Sequence, residues 1–177
     1  MRLQLAVQAT RLVHHLLLAQ SDATPSKALS SAFPMIDLDM FVVDSLSRLH
    51  LVDVQFQRIR DIPADSSMWM IPPELLDVGR TQPPNHAARA PDEMVRLMPL
   101  VVYQLGLLLP AFFAGSRMFR LTPAEKLQPH RVLFPTFAPT SLCRSLETLC
   151  RKCVAVSPQE RPDLADLVDR LQEIARL

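Results

Sequence analysis

Between Leu97 and Ala114, eighteen consecutive residues carry no charge, and any fold open to this chain must place that run. Its length would suffice for a membrane span. However, Pro99, Gln104, Gly106 and Pro110 interrupt it, and the rest of the chain has the polarity of a water-soluble domain. A helix that is apolar on all sides belongs in a core when other elements can wrap it. The sequence therefore predicts a buried central helix rather than a span. With 177 residues, 49% of them hydrophobic and 21% charged, there is enough chain for one domain with a sizeable core over residues 1–177.

The wrapping elements are expected to be helices. Only 3 Gly against 16 Pro, with 6% aromatics, favour helices joined by Pro-marked loops over an all-β fold. Residues 1–20 resemble a secretory leader at first sight. Gln4, Gln8, Arg11, His14 and His15 break any apolar core such a leader would need. They predict an amphipathic helix that buries Leu5, Leu12, Val13, Leu16 and Leu17, so the chain is expected to begin inside a domain or at a misplaced start. A helix over Ser141–Val156 and a last one over Pro162–Leu177 follow the central run. The last buries Leu164, Leu167, Val168, Leu171 and Ile174, with Asp163 in its first turn and Arg176 in its last, each favourable to the helix dipole. Phe41–Val43 and Leu49–Val52 flank a five-residue turn and predict one small β-hairpin. Residues 54–70, 77–92 and 120–140 read as loops, with a short helix opening at Pro72.

Net charge of +1 with both signs mixed gives no electrostatic footprint for nucleic acid or anionic lipid. Cys143, Cys150 and Cys153 crowd one face of one helix. Cys150 and Cys153 form C-x-x-C, but neither a second Cys pair nor a nearby His completes a zinc set. Core packing is the expected role, ahead of redox chemistry. Of the histidines, His14 and His15 are adjacent and cannot share a helix face, and His86 and His130 lie in Pro-rich loops. His50 is expected either to contact Asp53 or to sit half-buried in its strand. Asp37, Asp39, Asp44 and Asp53 read as solvated loop carboxylates rather than a cation site, because no calcium-loop pattern joins them.

One charge stands in an odd place. Arg161 falls in the turn Val156-Ser157-Pro158-Gln159-Glu160-Arg161-Pro162 between two segments that read as core. A buried Arg needs an acidic partner, and breaking such a pair costs about 3–5 kcal/mol. Glu74, in Ile71-Pro72-Pro73-Glu74-Leu75, is the expected mate.

Taken in order, these features resemble the C-terminal lobe of a protein kinase. Leu49-His50-Leu51-Val52-Asp53-Val54 is similar to the strand entering the D-F-G metal loop, and Ile71–Leu75 to the A-P-E motif. Tyr103-Gln104-Leu105-Gly106-Leu107 is similar to the W-x-L-G core helix. Val156–Pro162 is similar to the D-P-x-x-R-P turn, whose Arg pairs with the A-P-E Glu. Within the superfamily the resemblance is to the rhoptry kinases and pseudokinases secreted by apicomplexan parasites. It implies a mainly helical kinase-like C-lobe with one small hairpin and no N-terminal lobe, and a secreted, rhoptry location, although no clear signal peptide is present.

The resemblance also implies a catalytic loop over Phe33–Met40. The catalytic Asp position then falls on Met35, the Lys position on Asp37 and the metal-binding Asn position on Met40. A thioether neither takes a hydroxyl proton nor holds Mg²⁺, which prefers oxygen ligands. Asp53 matches the D-F-G Asp, but Gln55 occupies the Gly position, and Asp53 alone is expected not to hold a metal. With no Gly-rich loop and no V-A-I-K-like strand, the chain is expected to bind neither ATP nor Mg²⁺, and no other cofactor. The expected function is that of a catalytically dead pseudokinase acting through a protein partner, with obligate association through an exposed lobe face. The alternative is a fragment, or truncated gene model, of a larger kinase that transfers ATP phosphate to Ser/Thr. An unrelated helical module or a decaying gene fragment stands behind both.

Overall fold

A computed structural model of the chain describes residues 2–22, 32–58, 72–73, 93–114 and 141–176. The architecture of these residues is mainly helical: α1 (Arg2–Asp22), α2 (Glu93–Ala114), α3 (Ser141–Cys153) and α4 (Leu164–Arg176). The uncharged run lies in α2, and every residue from Leu100 to Ala111 is buried. Helix α1 packs on α2 and α4, while α3 packs on α2 and α4, so the central helix is covered on several sides. No helix among the described residues is long and apolar enough to cross a membrane.

Helix α1 buries Ala6, Val7, Ala9, Thr10, Val13 and Leu17. Of the residues expected inside, Val13 and Leu17 are buried, whereas Leu5, Leu12 and Leu16 are only half-buried. The stripe is rotated toward the small residues Ala6 and Ala9, which allow close approach to a neighbour. Thr10 is tolerated there because its hydroxyl donates to Ala6 O at 2.9 Å, leaving no orphaned polar group. Arg2 donates to the carbonyl of Phe113 at 2.8 Å, a cation on the C-terminal turn of α2 where the dipole favours it. Helix α4 buries the five residues its spacing predicts.

Two helix ends depart from the sequence-based expectation. Helix α3 stops at Cys153, three residues before Val156. The Ala155 and Val156 carbonyls, beyond that end, accept from the Arg161 guanidinium. Helix α4 starts at Leu164 rather than Pro162. Asp163 therefore stands just before it, and its carbonyl accepts the amide of Leu167 at 2.9 Å. Arg176 is in the last turn, as expected.

The expected hairpin is present: β2 (Phe41–Val43) pairs antiparallel with β3 (Leu49–Leu51), Val42 opposite His50. A second sheet outside it corrects the expectation of a single hairpin. Strand β1 (Ala32–Met35) pairs with β4 (Gln55–Arg58), Met35 opposite Gln55. Neither sequence advertises a strand, because β1 contains Pro34, which cannot donate, and β4 is mostly polar. The inner hairpin brings their ends together, so little further loop-closure entropy opposes the pairing. Gln8 of α1 fixes the inner hairpin in place, its side-chain oxygen accepting the amide of Leu49 at 2.7 Å. The loops expected over 77–92 and 120–140 lie outside the described residues, as does residue 54–70 beyond Arg58. Of the short helix expected at Pro72, only Pro73 is described as helical, and both prolines are buried.

Cys150 and Cys153 are fully buried free thiols, packed as the spacing predicts. Burial pushes Cys150 up to about 12 and Cys153 well above its ordinary value, since a thiolate there has lost its hydration. Unfolded thiols ionise near 9.0, so the unfolded chain releases these protons first. The stability they hold is complete below that pH and declines as pH rises toward the folded value, by about 1.4 kcal/mol per pH unit for each thiol. Thermal unfolding followed across the alkaline range should show this decline, and Cys150→Ala should about halve its slope, leaving the share of Cys153. An equally steep decline in that variant would assign the effect elsewhere.

Candidate functional site

The segment from Met35 to Met40 is held by α2. Gln104, fully buried in the middle of the apolar helix, accepts the amide of Ile36 at 3.1 Å through Oε1. Its Nε2 faces the sulfur of Met35 at 3.9 Å. A buried amide costs several kcal/mol unless satisfied, about 2–7 kcal/mol depending on the reference. This position therefore fixes the backbone at Ile36 rather than merely tolerating a polar residue. Met35 is 7% exposed and Met40 5%, so both thioethers are core groups.

Asp37 begins the 3₁₀ turn Leu38–Met40 and caps it. Its Oδ1 accepts the amide of Leu38, and its own amide donates to the Met40 sulfur at 3.5 Å. The carboxylate thus serves backbone geometry. The strand pairing then places Met35 opposite Gln55, and the amide of Val52 donates to Met40 O at 2.9 Å. The segment containing Met35, Asp37 and Met40 is in this way brought beside the segment containing Asp53, as a functional loop pair would be. The side chains it carries there include the buried thioethers of Met35 and Met40, the capping carboxylate of Asp37 and the exposed carboxylate of Asp39. Asp53 itself is exposed. Among the described residues, no group of three His, Cys, Asp or Glu side chains could hold a metal ion.

The charged cluster of this region lies instead at the hairpin turn. Asp44 accepts the amides of Leu46 and Arg48, each at 2.9 Å, and Nε of Arg48 at 2.8 Å. Nε2 of His50 lies 3.0 Å from Asp44 Oδ2. The His50 contact, and next the Arg48 amide, hold the Asp44 carboxyl well below the usual carboxylate range. His50 is exposed and pairs with Asp44, which corrects both roles expected for it, the contact with Asp53 and the half-buried strand position. In a strand, residues an odd number apart point to opposite faces. His50 and Asp53 are three apart, while Asp44 sits beyond Val42, the residue opposite His50, on its face. The turn closes with Ser47 in the left-handed region at φ 60°, and the amide of Ser47 donates to Asp44 O at 3.0 Å. The cluster is a turn lock, since each of its groups is spent on the turn.

Arg161 is the one cation placed as a core residue among the described residues, 6% exposed. Its Nε donates to Ala155 O at 3.0 Å, Nη1 to Pro99 O at 3.0 Å and Nη2 to Val156 O at 3.3 Å. The guanidinium carbon lies 5.0 Å from the centroid of the Tyr103 ring, within cation–π range. Residues from α2 and from the chain leaving α3 thus converge on one planar group whose fork of donors suits several acceptors at once. Glu74, the mate expected from sequence, lies outside the described residues. The sequence does not mark the Pro99 carbonyl or the Tyr103 platform. Gln104 does leave a trace, because a lone amide in an apolar helix must find a partner. No protein-family model and no curated protein sequence matches this chain.

Proposed function

We propose that the chain is a kinase-like C-terminal lobe of the rhoptry pseudokinase type, without catalytic power, that acts by binding another protein. The observation that carries this reading is the pair of buried thioethers, Met35 and Met40. They stand where phosphoryl transfer would need a carboxylate to take the substrate proton and an amide oxygen on the metal. Asp37, at the position of the catalytic-loop Lys, has the wrong charge for the transferred phosphate and is spent on a cap.

Two further observations support the reading. Arg161 is buried in the turn between α3 and α4, the position that the Arg of the D-P-x-x-R-P turn holds in such a lobe. Exposed apolar side chains also support it: Val42, Val43, Leu46 and Val52 of the hairpin region are 48–69% exposed. Exposed apolar groups gathered on one element mark contact surfaces more often than scattered ones do.

Titration with ATP and Mg²⁺ tests the loss of catalysis. A ligand at a hundred times its Kd adds about 2.7 kcal/mol to the folded state, a shift of about 5–10 °C in a domain of this size. The expected shift in Tm is none. A clear saturable rise would overturn the proposal.

A further inference from the structure

Helices α3 and α4 leave between them an open groove of 340 Å³. One wall is a row along α3, formed by Arg144, Thr148 and Lys152 at successive four-residue steps, all exposed. Arg170 of α4 faces the groove from the other side, and among the described residues Glu173 is the only carboxylate lining it. Its floor is apolar, with Leu149 4% and Ile174 8% exposed. Among the described residues three cations against one carboxylate make this groove basic, in a chain whose net charge is only +1. Among the described residues the ion pairs join Arg48 and His50 to Asp44, and Arg151 to Glu147. Arg144, Lys152 and Arg170 take part in none of them.

We infer that the groove binds an extended acidic segment of a partner protein, with carboxylates four residues apart on Arg144 and Lys152. The spacing carries the argument. Eight residues of α-helix separate these two cations by about 12 Å along the axis. In an extended peptide, residues i and i+4 lie on one face about 13 Å apart, and residue i+2 falls opposite the Thr148 hydroxyl. Arg170 adds a third contact from across the groove, and Glu173 repels an unbroken acidic run. A single phosphate would need cations converging on one point, which this row does not offer. Nucleic acid would need a wider basic surface than one groove. An anionic membrane would need projecting apolar groups, and here they form the floor. The inference stands on the groove itself and is independent of the kinase-like reading.

The test is fluorescence anisotropy on the full chain with a labelled nine-residue peptide carrying glutamates at its third and seventh positions. Binding is expected to weaken about tenfold in Arg144→Gln, and similarly in Lys152→Gln, as for the loss of one charge-assisted contact. It should also weaken as salt rises. The same peptide with both glutamates replaced by glutamine, or with them adjacent, should bind far less. Failure to bind, equal binding of a control peptide, or indifference to both variants would overturn the inference. So would tighter binding of pyrophosphate, an oligonucleotide or phosphatidylserine vesicles at the same residues. Both substituted side chains are exposed, so the fold should hold. An unchanged Tm verifies this, and Arg170→Gln replaces any variant that melts early. Loss of peptide binding leaves the ATP result untouched, so the two proposals fail separately.

Discussion

Arg161→Met is expected to lower the free energy of unfolding by about 3–5 kcal/mol, the range for removing one member of a buried charged network. Methionine comes close to the volume of arginine, so the loss reports hydrogen bonds more than a cavity. The carbonyls of Ala155, Val156 and Pro99 each lose a charged donor, and an unsatisfied buried acceptor costs about 1–3 kcal/mol. The Tyr103 contact is lost with them. Relaxation of the turn toward water recovers part of this, which is why the expected figure is below the simple sum. Arg161→Lys should fall between the two, because one ammonium on a flexible stem cannot reach three carbonyls in the plane that the guanidinium spans. Chemical denaturation with an unchanged m-value measures the effect. A loss below about 1 kcal/mol in Arg161→Met would mean that water already satisfies these carbonyls.

The same residue shows what can be read from the chain and what cannot. That Arg161 is buried follows from its flanks, since apolar helices on both sides leave a charge nowhere to go. That α3 stops at Cys153 does not, because the spacing of the residues after it continues a helix. The burial of α2 and the stripe of α4 are legible for the opposite reason: an unbroken uncharged run marks the first and a periodic pattern the second, and both signals are local. The inner hairpin is legible as two β-rich triplets around a turn. The outer β1–β4 pair is not, because its stability comes from the closure of the hairpin inside it. In the candidate site, the residue types of Met35, Asp37 and Met40 are legible in the sequence. Their fixation by Gln104 needs the distance across 68 residues of chain that only the fold supplies. The row Arg144, Thr148, Lys152 is visible in the sequence as a four-residue repeat, but its groove depends on where α4 lies.

Gly106→Ala is the second substitution with a large expected effect, and its sign is the point at issue. In a helix interior this change ordinarily gains about 1 kcal/mol. Here an added Cβ would lie 2.5 Å from Cβ of Cys153 and 2.9 Å from Cγ1 of Val154. It would also lie 3.3 Å from the Cys153 carbonyl carbon. A Cβ atom cannot rotate aside, so the end of α3 must move away from α2. Overpacking of this kind costs about 1–3 kcal/mol, and the rigid partner places the cost at the upper end, for a net loss of about 2 kcal/mol. Gly106→Leu should lose more, since the longer side chain meets the same obstacle and adds bulk to it.

The displacement has a definite direction of consequence. Cys153 and Val154 lead straight into the Ala155 and Val156 carbonyls that hold Arg161, so moving the end of α3 also loosens that cage. The two substitutions are therefore coupled. Gly106→Ala with Arg161→Met together should destabilise by less than the sum of the single losses, by at least about 0.5 kcal/mol, as for residues sharing a backbone shift. A neutral or stabilising Gly106→Ala would show that the helices can part without cost. Strict additivity would show that the Gly106 contact and the Arg161 cage are separate supports rather than one.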